Sequence, residues 1–407
     1  MTLSRSGVVV VLGTAQTLAW GSTFYLPAIL AAPMARDLGI GIDGVFAAFS
    51  AALLVGVLIG PLAGGRIDRQ GGRGLLCLSS LVFAAGLALL GLAQGPVVMT
   101  AAWLVLGVGM TIGLYEAAFS ALARLYGAKA RGAITGITLF AGFASTVCWP
   151  ISAALNAEIG WRGACFVWAA AQLLIGLPLN RLLPRAEDDV PAEPAAPAPA
   201  GPEAPAATAA PSPAPTRRGR SLWADPGMLL LGFYFAVVWF SSTAMGAHLP
   251  RLLQQAGASP TAAIAAAALV GPAQVAGRLL EFSLLQRLHP LLSARLASLA
   301  HPLAVAVLLA LGAPAAAAFG LLHGAGNGIM TIAKGTLPLA LFGPAGYGLR
   351  QGLLMVPTRL AQAAAPFVFA LLMERFGVGA LLVTAGLSLA GLGALLLLRP
   401  ATAASPA

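Results

Sequence analysis

Charge is scarce in this chain. Only 9% of its 407 residues are charged and just 13 are acidic, against roughly a quarter charged in a soluble domain. With 59% hydrophobic residues and a mean hydropathy of +0.88, that shortage excludes a solvated globular domain. Cysteine is equally rare. Cys77, Cys148 and Cys165 fall in separate apolar stretches without pair spacing, which excludes a disulfide framework and leaves them as small packing residues. No His, Cys and carboxylate cluster has ligand spacing, so no metal is expected. The chain has no G-x-x-x-x-G-K-[ST] loop, so nothing in it supports ATP-driven transport. Gly39-Ile40-Gly41-Ile42-Asp43-Gly44 fits G-x-G-x-x-G but lacks a preceding strand, so it is a chance match. No cofactor and no enzymatic activity are expected.

What fills the chain instead is long apolar runs. About 20 residues of helix cross the ~30 Å hydrocarbon layer, and the runs are continuous rather than alternating, which favours helices over a barrel. Twelve segments emerge, near 8–31, 44–65, 75–94, 97–122, 134–156 and 163–182, then 227–250, 261–284, 292–312, 315–341, 351–373 and 379–398. The two sets repeat one another. Tyr126-Gly127, Gly132, Gly136 and Pro150 recur as Phe342-Gly343, Gly348, Gly352 and Pro366, each 216 positions later. Gly107 and Gly109 have counterparts in Gly324 and Gly326, and Trp20 and Ser22 in Trp239 and Ser241. The counterparts of Trp20 and Ser22 mark the first run as a retained helix rather than a cleaved signal peptide. A duplicated apolar chain points to a carrier with a path between its halves.

The expected division is 1–182, a six-helix bundle; 183–226, a Pro/Ala-rich linker; 227–398, a second six-helix bundle; and 399–407, a tail. The stretch from Pro191 to Pro215 cannot bury a core and reads as a flexible tether.

The net charge of +10 would suggest nucleic acid in a soluble protein. Its distribution points to the bilayer instead. Arginines and lysines gather in alternate loops (Arg66, Arg69, Arg73; Arg124, Lys129, Arg131; Arg181, Arg185, Arg217, Arg218, Arg220; Arg287, Arg295; Arg350), while the intervening loops hold single arginines. That asymmetry places both termini in the cytoplasm, and the protein in the cell inner membrane. The expected partners are the lipid bilayer, a small-molecule solute and protons, with no nucleic acid; the chain is expected to be a monomer.

The second segment closes on Gly64-Gly65-Arg66-Ile67-Asp68-Arg69-Gln70-Gly71-Gly72-Arg73. This run resembles the G-x-x-x-D-R-x-G-R-R loop between the second and third helices of the major facilitator superfamily, with one extra glycine. The resemblance covers the whole chain except the linker. It implies an all-α membrane fold of twelve helices in two pseudo-symmetric bundles. It also implies that Asp68, with Arg69 and Arg73, latches the cytoplasmic gate against the eleventh helix, starting near Gly352. The alternative is a solvated turn that only sets topology. The counterpart in the second half, Gly277-Arg278 with Glu281 and Arg287, is degenerate. Two superfamily patterns are absent: where the fourth helix of many proton-coupled members carries an arginine four residues before a glycine, Trp103 precedes Gly107, and Gly142 with Trp149-Pro150 replaces the G-P-x-x-G-G of drug–proton antiporters. Trp20, Tyr25 and Pro150 are loosely similar to monocarboxylate and oxalate–formate type carriers.

Ionisable residues inside spans are costly and default to function. Arg359 lies mid-segment in the eleventh run, and its planar fork of donors suits a carboxylate; its alternative is an ion pair fixing two helices. Gln362 shares its face. Asn327, Trp20 and Tyr25 complete the expected solute contacts. Glu116 and Lys334 are the expected coupling residues, with a salt bridge from Glu116 to Lys334 or Arg359 as the competing account. His248 and His323 read as isolated, hydrogen-bonded helix residues, with proton relays as the alternative. The function expected is a secondary transporter of a small organic anion such as a monocarboxylate. The alternative is efflux of drug-like compounds by proton antiport.

Overall fold

The computed structural model describes residues 3–185 and 225–399; most of the 183–226 linker and all but the first residue of the 399–407 tail lie outside the described residues. Among the described residues the fold is helical throughout. The first half builds α1 (Arg5–Ser22), α2 (Pro27–Asp37), α3 (Ile42–Gln70), α4 (Arg73–Gly91), α5 (Pro96–Gly113), α6 (Tyr115–Tyr126), α7 (Arg131–Gly142), α8 (Ala144–Ala171) and α9 (Leu177–Arg181). The second half builds α10 (Pro226–Gln255), α11 (Pro260–Ala268), α12 (Val270–Ser283), α13 (Pro290–Ser298), α14 (Ala300–Leu311), α15 (Ala316–Phe342), α16 (Tyr347–Phe376) and α17 (Ala380–Leu397).

These pieces make twelve crossings. α1 and α2 share the first, α5 and α6 the fourth, α11 and α12 the eighth, and α13 and α14 the ninth. α8 serves the fifth and sixth, because Gly160 at φ 72° turns the chain between them. α15 carries His323, Asn327 and Lys334 and is largely buried, so it is the least lipid-like of the crossings.

Breaks within crossings need partners, since lipid offers none. Where α5 stops at Gly113, the freed carbonyl takes a hydrogen bond from Gln16 Nε2 at 2.6 Å. That break starts a new helix in mid-membrane and places Glu116 in its first turn. Gln172, opening a one-turn π-helix between α8 and α9, donates to Ser22 Oγ at 2.8 Å, where α1 ends.

Apolar burial does little to hold helices together in lipid, so close approach of small residues matters more. Along α3, Gly60 and Gly64 lie against Gly352 and Gly348 of α16, backbone on backbone. A side chain on Gly64, Gly348 or Gly352 would collide with main-chain atoms, which no rotamer change relieves. Each half has its own apolar clusters, and one of the first half's takes in Leu339 and Tyr347 of the second. The halves meet on the side that carries both ends of the described bundle. Toward the other side, no hydrogen bond or ion pair joins them among the described residues. The molecule is therefore closed on its terminal side.

Candidate functional site

Two seams close the terminal side. At the first, Asp68 at the end of α3 accepts hydrogen bonds from the backbone of Gly348 (2.7 Å) and Leu349 (2.8 Å), the opening residues of α16. A carboxylate at a helix N-terminus satisfies orphan N–H groups and meets the positive end of the dipole. α16 begins at Tyr347 rather than near Gly352, so the contact comes one turn earlier than the sequence suggests. Arg69 and Arg73 are not drawn into it: neither makes a hydrogen bond or ion pair among the described residues.

At the second seam, Arg131 at the start of α7 pairs with Glu281 of α12 at 3.1 Å and donates to Leu288 O at 2.7 Å and Leu285 O at 3.3 Å. The second-half motif that reads as degenerate thus supplies a working contact. The two seams are related by the internal repeat, since Gly132 and Gly348 are counterparts.

Above the seams, charges converge between the halves. Glu116 of α6 pairs with Lys334 of α15 at 2.8 Å and, more loosely, with Arg359 of α16 at 3.9 Å. Arg359 Nη1 also donates to Thr111 Oγ1 at 3.1 Å. Lys334 Nζ stands 4.7 Å from the centre of the Trp239 ring, a cation–π contact, and the Lys334 carbonyl takes a bond from Gln351. Of the two alternatives read for Glu116, the ion pairs are the geometry present, and it engages both cations together.

Arg278, on α12, is a charge the sequence reading passed over. It is 5% exposed and its Nε has no partner. Among the described residues no carboxylate lies within ion-pair distance of it; Glu281 is turned to Arg131. Its guanidinium reaches across to Gly142 of α7, where a side chain would collide with it. The only sequence signal was a cation inside the eighth segment, masked by its place in a loop-like motif. Gly56 of α3 was likewise missed; it makes room for the Arg359 guanidinium.

The remaining expected residues form two groups. Trp20 packs on Tyr115 (ring centres 4.8 Å) and Tyr25 (5.8 Å), with its indole Nε1 buried and unpartnered. Tyr25 meets Trp149 edge-on, and its carbonyl accepts from Trp149 Nε1. Gln362 turns to Thr243 of α10 at 3.5 Å and does not bond Arg359. Asn327 Oδ1 is buried without a partner. His248 bonds Pro366 O at 2.8 Å, whereas His323 is not isolated: its ring meets His301.

A family model described as Major Facilitator Superfamily matches residues 12–321. The human organic anion transporter MFSD10 (TETRAN) superimposes with a TM-score of 0.71 at 18% identity, covering 97% of this chain and all of that one. FucP in an outward conformation gives 0.74 at 12% identity, over 96% of this chain and 98% of its own. The fucose:proton symporter FucP of E. coli gives 0.74 at 13% identity over the same shares. An uncharacterized 38 kDa protein of Thermoproteus tenax, encoded in a 23S RNA operon, is 30% identical over 156 residues. The match spans 38% of this chain and 40% of that relative.

Proposed function

The chain belongs to the Major Facilitator Superfamily, and on that premise we propose a secondary transporter that moves a small organic anion, such as a monocarboxylate, by alternating access. One observation carries the reading: among the described residues Lys334 and Arg359 share one carboxylate, Glu116, while Arg278 is buried with no carboxylate within ion-pair distance. An unmatched buried cation is expensive, and a solute carboxylate would offset it. Arg278 and Arg359 approach from opposite seams, each over a glycine of the first half, and act as two jaws. The free indole N–H of Trp20, the phenol of Tyr25 and the amides of Asn327 and Gln362 supply the surrounding contacts.

Glu116 serves as the resident counter-ion. When an anion takes Arg359, Glu116 keeps Lys334, so loading and the charge balance between the halves change together. That exchange couples solute to the seams. Asp68 of α3, flanked by Arg69 and Arg73 and seated against the start of α16, and Arg131 paired with Glu281 hold the terminal side shut; opening them while the far side closes delivers the solute. The loop charges put that side, and both termini, in the cytoplasm and the protein in the inner membrane. The anchored bundles are 1–182 and 227–398, tethered by 183–226, and the working unit is the monomer. Energy comes from an ion or proton gradient or from solute exchange.

Counterflow of labelled carboxylates in proteoliposomes, beside their neutral amides, tests the class. Carboxylates exchange and amides do not; equal exchange of both removes the anion reading.

A second reading, efflux of amphipathic compounds, is favoured by one feature. An apolar groove lined by Phe140, Phe143, Val147, Cys148, Ile151 and Trp168 opens on the outside of the first half. Resistance profiles of cells with and without the protein separate the two.

A further inference from the structure

Away from the central charges, the second half buries two histidines against each other. His301 lies in α14 and His323 in α15, 8% and 6% exposed. Their Nδ1 atoms stand 3.0 Å apart, and His301 Nε2 lies 2.9 Å from Thr384 Oγ1 on α17. Phe319 flanks both rings.

The far end of this chain fixes where the protons sit. The Thr384 hydroxyl donates its only proton to Leu381 O at 2.9 Å, so toward His301 it can only accept. His301 then carries its hydrogen on Nε2 and offers a bare Nδ1. His323 must donate to that nitrogen from its own Nδ1. One atom is left over: His323 Nε2 is a lone pair with no hydrogen-bond partner among the described residues. Holding three crossings together uses the other nitrogens and has no need of this one.

We propose that His323 Nε2 binds the proton that travels with the solute, with His301 as the acceptor that steadies the resulting imidazolium. This rests on the transport reading above. The step is simple in its balance. A proton from water on one side adds to the Nε2 lone pair, the Nδ1–H bond to His301 stays intact, and the same proton leaves to water on the other side. No electrons move.

The surroundings fit a proton carried here. α14 presents His301 as its only ionisable group, and α17 presents Thr384. On packed neighbours, Arg278 faces Gly142, Glu281 faces Arg131, and Arg295 of α13 binds the carbonyls of Leu395 and Leu398. His248 of α10 binds Pro366 O. None is within hydrogen-bond or ion-pair distance of either ring, so among the described residues no fixed counter-ion pins the charge. Glu116, by contrast, is already matched by two cations. On α15, His323, Asn327 and Lys334 follow one another at spacings of four and seven residues, one face of the helix. A positive charge on His323 stands about 16 Å along that face from Lys334, on the same path, and favours entry of an anion.

The test uses the full chain in proteoliposomes with a trapped pH dye and a carboxylate that the wild type exchanges. His323→Asn places an amide N–H where Nδ1–H was, keeping the bond to His301, but has nothing at Nε2. The wild type should acidify the lumen as solute enters and accumulate solute under an imposed pH gradient. His323→Asn should keep solute counterflow and lose both proton movement and gradient-driven accumulation. Proton movement that survives His323→Asn overturns the proposal. If that variant does not fold, His301→Gln keeps the bond to Thr384 while removing the acceptor, and should move the half-point of gradient-driven uptake about one pH unit lower; an unmoved half-point is equally contrary. A wild type that moves carboxylate without protons contradicts this inference alone. One that moves no carboxylate contradicts the transport reading, and this inference with it.

Discussion

The guanidinium of Arg359 occupies the space that a side chain on Gly56 would fill. The two residues lie on α16 and α3, in opposite halves, along the seam where Gly60 and Gly64 meet Gly352 and Gly348. An arginine can stand between the bundles only because its neighbour has no Cβ.

Gly56→Ala should therefore act as an Arg359 mutation without touching it. The helix gains slightly in intrinsic propensity, about 1 kcal/mol, while the guanidinium is pushed off Thr111 and Glu116. Solute counterflow should fall at least tenfold with expression and melting temperature held. Normal exchange by Gly56→Ala would show that the guanidinium can sit elsewhere.

Asp68→Asn keeps the shape at the start of α16 and removes the charge. Losing a charge-assisted contact with a helix N-terminus should weaken the closed terminal side by about 1–2 kcal/mol, roughly tenfold in the closed-to-open ratio. Spin labels on the terminal ends of α3 and α16 should report a longer-distance population. An unchanged distance distribution would make Asp68 a topology residue only.

The second seam should be less forgiving. Glu281 is only 3% exposed at its side chain, against 23% for Arg131, so Arg131→Ala strands a buried carboxylate at a cost of about 3–5 kcal/mol. Glu281→Gln leaves Arg131 its two carbonyls and should be milder. Denaturation in detergent, with the variants ranked Glu281→Gln above Arg131→Ala, checks the order; the reverse ranking contradicts it.

His289 adds a pH dependence beside that seam. Its Nδ1 accepts from Leu291 N at 3.2 Å, capping α13. Burial, and then the charges of Arg131 and Arg295, hold its ring below the usual histidine range. A lowered value means the closed state favours the neutral ring. Its contribution is complete above the free value of about 6.5 and is lost as pH falls through that value toward the lowered one. Label distances between α7 and α12 should lengthen between pH 7 and 5, and His289→Asn, a good cap, should flatten the change. Equal pH responses in both proteins would remove His289 from the seam.

Much of the architecture was legible because lipid forces it. Long apolar runs, loop arginines and a repeat of 216 positions leave few folds for the chain. Arg359, Lys334 and Glu116 stood out as charges at mid-segment depth, where solvation alone cannot explain them. What remained hidden depends on contacts between distant segments. Gly56 matters only because Arg359 arrives from α16, 303 positions later. Arg278 sat next to a glycine in a motif that read as a worn copy of the first-half loop, yet it reaches Gly142 instead of solvent. His323 looked solitary because its partner, His301, comes from a different crossing. Asp68 was legible as a cap, but not the turn at which α16 begins.

The central claim is that two arginines from the second half grip an anion between the bundles. Counterflow of one labelled carboxylate should be lost in Arg278→Ala and in Arg359→Ala and persist in Arg375→Ala, whose arginine lies at the far end of α16. Wild-type exchange in both Arg278→Ala and Arg359→Ala would contradict the account.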